Sequence, residues 1–194
     1  ESKRQEFYRT MLADSERLLA TIEQVLRTGR AGAASRKLNI AQINLGHVVE
    51  SCIERARTLH KIDGGVLHYE PGPPATVLGD PDEVQSAVSN LIDNAVKYAG
   101  NPVEVSIRIE PVNGRYVALR VSDNGAGIAK SELKSIFKRF YRVPGPVAAR
   151  VKGTGLGLFI VRSVAKRHGG RVWAESEGPG RGSPDGRIGI LQFQ

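Results

Sequence analysis

Asn90-Leu91-Ile92-Asp93-Asn94-Ala95-Val96-Lys97-Tyr98 is the stretch on which the reading of this chain turns. It closes a helical pattern that runs from about residue 81 to residue 98. Pro81 suits a first helical turn, and Asp80 before it suits an N-cap whose carboxylate takes an otherwise orphaned backbone N–H. Val84, Val88, Leu91, Ile92 and Ala95 return at three- and four-residue steps, giving one apolar face. Asn90 and Asn94 stand four apart and Lys97 three further on, so all three project along one neighbouring stripe. Two amides and an ammonium on the rim of a buried helix offer oxygen donors for a hard cation beside a charge for phosphate. Mg²⁺ suits such a place, because it takes few protein ligands and fills its shell with water and nucleotide oxygens. The same residues also make an ordinary solvated helix edge, and what decides between the two lies downstream.

The 194 residues suffice for one good domain and an appendage. With 40% hydrophobic and 25% charged residues the composition is that of a soluble globular protein. No apolar run approaches membrane-spanning length and no signal-peptide pattern occurs, so any membrane tether is expected outside this stretch and a cytoplasmic location within it. The lone Cys52 forms no internal disulfide, consistent with a reducing compartment, and falls in the apolar pattern of Leu45, Val48, Val49 and Ile53 as a small core residue. A net charge of +8 raises a nucleic-acid partner, but the basic residues are scattered and no recognition motif occurs. The charge serves equally around a triphosphate or an acidic partner, so no nucleic acid is expected.

Residues 5–30 read as one long amphipathic helix. Phe7, Met11, Leu18, Ile22 and Val25, with Leu12, Leu19 and Leu26 beside them, give the alternating steps of a helix–helix seam that needs another helix to cover it. Gly29, Gly32, Ala33, Ala34 and Ser35 form a break, so residues 1–38 are expected as a helix plus linker and residues 39–194 as the main domain. There the pattern predicts helices over 45–59, 131–141 and 156–168 and strands over 66–70, 75–78, 171–176 and 187–193. Val103, Val105, Ile107 and Ile109 alternate with polar residues, as do Val117, Leu119 and Val121, with Asn113-Gly114 between them as a hairpin turn. The expected class is α+β, a largely antiparallel sheet with helices over one face.

Two glycine stretches follow the central helix. Ser122-Asp123-Asn124-Gly125-Ala126-Gly127-Ile128 succeeds a core strand. A carboxylate there, next to glycines that let backbone come close, can hold a flat polar ligand, with Asp123 accepting from an exocyclic amine such as that of adenine. Asp-Asn-Gly is also ample chemistry for a tight turn. Lys152-Gly153-Thr154-Gly155-Leu156-Gly157-Leu158 opens the last helix, where exposed N–H groups at the positive end of the dipole favour phosphate. It is neither a P-loop nor a dinucleotide fingerprint, because its spacings differ from both, and it also reads as a plain loop. Between the two lies Ile136-Phe137-Lys138-Arg139-Phe140-Tyr141-Arg142, whose aromatics are expected to dock a lid. Lys138, Arg139, Arg142, Arg150 and Lys152 are its candidate phosphate contacts, against a solvated basic loop.

In this order the stretches resemble the catalytic, ATP-binding domain of bacterial sensor histidine kinases, within the superfamily that includes gyrase-type ATPases and Hsp90. Residues 90–98 are similar to the asparagine box, 123–127 to the first glycine box, 137–142 to the phenylalanine box and 153–158 to the second glycine box. The resemblance covers about residues 40–194 and implies a Bergerat-type α/β sandwich that binds ATP and Mg²⁺. It implies that Asn94 holds Mg²⁺ with help from Asn90, that Lys97 meets phosphate, that Tyr98 lines the adenine pocket and that Asp123 reads the adenine amine. By the same token Gly125, Gly127, Ile128, Phe140, Gly153, Thr154, Gly155, Leu156, Gly157 and Leu158 line the nucleotide, and Arg142 is the lid cation. The first thirty residues resemble the second helix of the family's dimerisation hairpin. That implies a homodimer in the full protein, with an acceptor hairpin and a response-regulator receiver domain as partners.

The sequence departs from the family in two places. His47, His60, His68 and His168 all lack the acceptor-box surroundings, so the phosphorylated histidine is expected upstream of residues 2–6. The Gly-rich turn at residues 180–186 does not lead to a Leu-Pro ending, which leaves the register of the last strand open. ATP-hydrolysing relatives carry glutamate where Asn90 stands. An amide is no general base, which favours transfer of the γ-phosphoryl group to histidine over hydrolysis. Two alternatives are a nucleotide-binding scaffold without transfer and an ATPase of the superfamily.

Overall fold

The computed structural model describes Tyr8 and residues 37–145, 151, 153–178 and 187–193, the last group by its backbone. The chain divides into two units, Glu1–Arg36 and Lys37–Gln194. In the first only the exposed Tyr8, in helical conformation, is described. Apart from Tyr8, the helix expected over 5–30 lies outside the described residues, as do Arg150, Lys152 and the turn at 180–186.

The second unit runs β1 (Ala41–Asn44), α1 (Leu45–His60), β2 (Leu67–Glu70), β3 (Thr76–Gly79), α2 (Pro81–Tyr98), β4 (Val105–Val112), β5 (Tyr116–Asp123), α3 (Gly157–Arg167), β6 (Arg171–Trp173) and β7 (Arg187–Phe193). One sheet has the order β2-β4-β5-β7-β6. Its pairs are antiparallel except β2 with β4. The open register of the last strand resolves as β7 between β5 and β6, Val117 facing Phe193 and Trp173 facing Ile190, with an irregularity between Arg120 and Ser122. The expected mixed, mostly antiparallel sheet with helices on one face is what forms.

The site-bearing helix α2 begins as its sequence dictates. Asp80 caps it by accepting from Glu83 N–H at 3.3 Å, Pro81 occupies the first turn, and Asp82 and Glu83 face the positive end of the dipole. Val84, Ala87, Val88, Leu91, Ile92, Ala95 and Val96 are buried. They join one apolar cluster with Val49, Cys52 and Ile53 of α1, Ile160, Val161, Val164 and Ala165 of α3, and Ile107, Leu119 and Val121 of the sheet. Strand alternation sends those sheet residues to the helices and leaves the other face polar, where Arg120 pairs with Glu110 at 2.6 Å and Arg108 with Glu70 at 2.8 Å. Asp123 falls on the inward phase of β5, two residues after Val121, and is therefore buried. Cys52 is a core residue as expected; burial pushes its thiol up to about 11 and holds it protonated.

Helix α3 is tied to α2 at both of its own ends. At one end the ring of His168 accepts from Asp80 N–H at 2.9 Å and donates from Nδ1 to the Val164 carbonyl at 2.8 Å, while Arg167 meets Glu83 at 2.7 Å. A Cβ on Gly79 would lie 2.9 Å from that ring, so the ring closes over the β3–α2 junction. At the other end Gly157, first residue of α3, lies against Asn90, whose Oδ1 would be 3.0 Å from an added Cβ. Ten residues from Asp80 to Asn90 and eleven from Gly157 to His168 each span about 15 to 17 Å of helix, so the antiparallel pair is in register over that length.

One expectation fails and one element was missed. The helix predicted over 131–141 is only a 3₁₀ turn, Ser135–Phe137, with Ile136 and Phe137 buried. Leu133, Ile136, Phe137 and Phe140 have helical spacing, but the backbone at 140–141 is claimed by Gly155. A Cβ on Gly155 would meet the Phe140 carbonyl carbon at 2.7 Å, and Phe140 turns out at φ 61. The strand expected over 75–78 forms as β3, but its antiparallel partner β1 was not predicted; Ile43 and Val77 alone bury strong side chains in this short ribbon.

Candidate nucleotide site

The end of β5, the C-terminal half of α2 and the start of α3 meet through glycines. Gly125 is pressed against the last turn of α2: a Cβ there would lie 2.2 Å from the Tyr98 carbonyl oxygen and 2.5 Å from Asp123 Oδ1. No side chain fits that gap, so glycine is required by space. Gly127, at φ +73, packs on the Gly178 carbonyl, and Ile128 N–H donates to Ser176 Oγ at 2.9 Å. Gly155, at φ +74, lies on the 140–141 backbone, and Gly157 on Asn90. The asparagine stretch therefore touches both glycine stretches, and the aromatic stretch touches the second.

Asp123 is the most informative group. It is 5% exposed, and its Oδ1 accepts from Gly125 N–H at 2.9 Å. Its Oδ2 is buried and, among the described residues, has no hydrogen-bond partner. Desolvation pushes the carboxyl up to about 6, against the Gly125 bond that favours the charged form. An orphaned buried carboxylate oxygen costs stability, and a donor brought by a ligand would complete it. The exocyclic amine of adenine fits this test.

The asparagines divide the work. Asn90 Nδ2 donates to the Ser86 carbonyl at 2.8 Å, which fixes the amide and leaves Oδ1 turned toward Gly157. Asn94, half-buried, makes no side-chain hydrogen bond among the described residues. Two amide oxygens without internal donors, one turn apart, suit a hard cation that keeps most of its own shell. No cluster of three or more His, Cys, Asp or Glu side chains able to hold a metal occurs among the described residues. Lys97 Nζ sits on Asp93 at 2.6 Å, and the Tyr98 side chain is half-buried.

Other expected site residues are placed differently. Phe140 is 62% exposed and does not dock the segment; Phe137, 5% exposed, does. Arg142 donates from Nη2 to the Val151 carbonyl. Arg139 stacks over the Phe159 ring at 4.7 Å, and Tyr141 Oη donates to the Glu132 carboxylate. Leu156, 1% exposed, is buried and Leu158, half-buried, packs against the core; together they anchor the second glycine stretch. Leu156 gives α3 no side-chain cap, so the N–H groups of its first turn remain for another acceptor. Gly153 is exposed with open space around it, and Thr154 is half-buried.

Sequence reading missed three supports. Asn124 holds the loop after α2: its Oδ1 accepts from Gly100 N–H at 2.8 Å and Glu104 N–H at 3.1 Å, and its Nδ2 donates to the Pro102 carbonyl at 2.7 Å. Ser176 bonds Ile128 N–H and also accepts from Gly178 N–H at 3.3 Å, and His168 holds α3 to α2. The Asp-Asn-Gly turn signal pointed at Asn124. Nothing local pointed at the other two.

Residues 79–184 match the family described as histidine kinase-, DNA gyrase B-, and HSP90-like ATPase. Over 183 residues, 91% of the chain, it is 33% identical to the sensor-like histidine kinase SenX3 of Mycolicibacterium smegmatis, of which this covers 46%. Over 170 residues, 86% of the chain, it is 31% identical to the sensor protein kinase WalK of Staphylococcus aureus, covering 40% of that protein. The chain thus spans less than half the length of these curated relatives. Among solved structures it is similar to the mycobacterial sensor histidine kinase MprB, with a TM-score of 0.66 and 27% identity over 79% of this chain and 95% of that one. It is also similar to full-length ShkA in complex with AMPPNP, with a TM-score of 0.76 and 26% identity over 98% of this chain and 38% of that one.

Proposed function

Because the chain belongs to the histidine kinase-, DNA gyrase B-, and HSP90-like ATPase family, we propose that it is the ATP-handling part of a sensor histidine kinase. In this reading it transfers the γ-phosphoryl group of ATP to a histidine that another segment of the protein supplies. The observation that carries the reading is the buried, half-satisfied carboxylate of Asp123 held against the end of the asparagine helix by Gly125. In this reading Asp123 Oδ2 takes the adenine amine, and the amides at the start of α3 take phosphate oxygens. Asn94 and Asn90 hold Mg²⁺, which when bound offsets the negative charge of the phosphates. Residues 1–38 serve as a hairpin helix and linker in a homodimer, and a receiver domain takes the phosphoryl group onward.

Transfer is favoured over hydrolysis because Asn90, whose amide is fixed on Ser86, has no base to offer a water molecule. What this chain contributes is position and charge: a fixed purine, fixed phosphates and excluded water. An imidazole nucleophile is partly neutral near physiological pH and needs little further activation. The similarity to AMPPNP-bound ShkA supports a nucleotide in the site.

Two measurements test this. Calorimetric titration with Mg·ATP should show binding that Asn94→Ala weakens at least tenfold in the presence of Mg²⁺ and much less in EDTA. Incubation with γ-labelled ATP should leave the chain itself nearly unlabelled and should label a separately supplied acceptor hairpin from the same kinase. Steady release of inorganic phosphate without labelling of the hairpin would instead assign the chain to the ATPases of the family.

A further inference from the structure

Asn90, Asp93, Asn94 and Lys97 stand at i, i+3, i+4 and i+7 on α2 and share one face. The carboxylate among them is fully used. Asp93 Oδ1 is 2.6 Å from His60 Nε2, and Oδ2 is 2.6 Å from Lys97 Nζ. His60 is the last residue of α1, so this carboxylate joins two helices. An ionised carboxylate only accepts, so His60 Nε2 carries the hydrogen. Side-chain exposure rises along the chain of contacts, from 17% at His60 through 28% at Asp93 to 37% at Lys97. His60 is the fixed end and Lys97 the one able to leave.

We propose that Asp93 and His60 are positioning residues that control the delivery of Lys97 to the nucleotide phosphates. The inference rests on the nucleotide reading above and adds a regulator to it. Without nucleotide, Asp93 holds the ammonium one helical turn back along the stripe. A triphosphate beside Asn94 draws Lys97 away, and the ammonium exchanges one anionic partner for another. Asp93 is then left with His60 alone. A half-buried carboxylate that keeps one charge-assisted bond loses its second partner at less cost than one left bare. His60 therefore sets how readily Lys97 is released. Because only phosphate competes for Lys97, the device acts on phosphate-rich ligands and leaves the purine contact alone.

The test compares affinities of the 194-residue chain for ATP and for adenosine, which shares the purine and lacks the phosphates. Asp93→Asn frees Lys97 and should raise the ATP-to-adenosine affinity ratio about three- to tenfold. His60→Ala leaves Asp93 with Lys97 as its sole partner and should lower that ratio by a similar factor. The double variant should behave as Asp93→Asn, since without the carboxylate His60 has nothing to act through. His60→Gln, whose amide N–H can still donate to Asp93, should recover most of the ratio, which a purely structural loss would not. Thermal unfolding of each variant separates these effects from misfolding, because a partly unfolded population lowers both affinities and leaves their ratio unmoved. An unmoved or lowered ratio in Asp93→Asn, with wild-type binding intact, overturns the inference alone. Absence of both ligands from the wild-type chain overturns the nucleotide reading and this inference with it.

Discussion

Asp123→Asn is expected to make the chain more stable and nearly blind to ATP. The wild-type carboxyl titrates near 6 in the fold against 3.8 outside it, so the folded state binds its proton more tightly than the unfolded chain. Stability from this group is therefore full below about pH 4, falls as pH rises toward 6, and stays low above it. The difference of two pH units is about 3 kcal/mol. Asparagine keeps the bond from Gly125 and removes the desolvated charge, but leaves an amide N–H where Oδ2 was, offsetting about half. A net gain of about 1 to 2 kcal/mol at pH 8 should raise the unfolding midpoint by roughly 2–8 °C in a domain of this size. In the proposed site that same N–H would face the adenine amine, donor against donor, so affinity for ATP should fall about 100-fold or more. Adenosine, free of phosphate titration, shows the pH effect cleanly. Its affinity for the wild type should weaken about tenfold per pH unit below 6, as the proton occupies Oδ2, and the asparagine variant should be flat. Scanning calorimetry and titration calorimetry at pH 5, 6, 7 and 8 check both halves.

Gly125→Ala should be the most damaging single-methyl change in the site. The added carbon would lie 2.2 Å from the Tyr98 carbonyl oxygen and 2.5 Å from Asp123 Oδ1. The first obstacle is backbone at the end of α2, and the second is the buried carboxylate just discussed, so neither yields by swinging a flexible chain away. Relief requires parting β5 from α2, at a cost of about 3 kcal/mol or more, or roughly 6–12 °C in unfolding midpoint. Nucleotide binding should vanish even at 10 °C where the variant remains folded. Gly153→Ala is the control: nothing lies within 4 Å of its added carbon. Equal midpoints for the two variants would refute the close approach at Gly125.

The sequence foretold most where cause and effect are neighbours. α2 was legible because its cap, its proline, its acidic first turn and its apolar stripe all fall within residues 80–98 and agree. The β4–β5 hairpin was legible from alternation around Asn113-Gly114, both of which take positive φ. The place of Asp123 at the end of a core strand was legible in the same way, and the phase it shares with Val121 buries it. What stayed hidden depended on distant partners. The strand over 75–78 was expected, but its partner β1 lies about 35 residues upstream and is too short to show a period, so their pairing stayed hidden. The helical spacing of Leu133, Ile136, Phe137 and Phe140 was overridden by Gly155 packing on the backbone at 140–141. Nothing local to Arg142 marked the Val151 carbonyl, nine residues on, as an acceptor for its Nη2. Ser176 and His168 act across 48 and 88 residues of sequence, and no local pattern marks a polar side chain for such work.

The paired ties between α2 and α3 bear on how the domain breathes. Because His168 and Arg167 grip the beginning of α2 while Gly157 seats on its middle, neither helix can fray from its neighbour without releasing contacts at both ends. Amide hydrogens of Val88, Leu91 and Ile92 should therefore exchange with solvent deuterium at one shared opening free energy with those of Ile160, Val161 and Val164, as a single foldon. His168→Ala should split that pool, letting the last turn of α3 exchange early. The purine and phosphate contacts proposed above would then stand on two bodies that open separately instead of one.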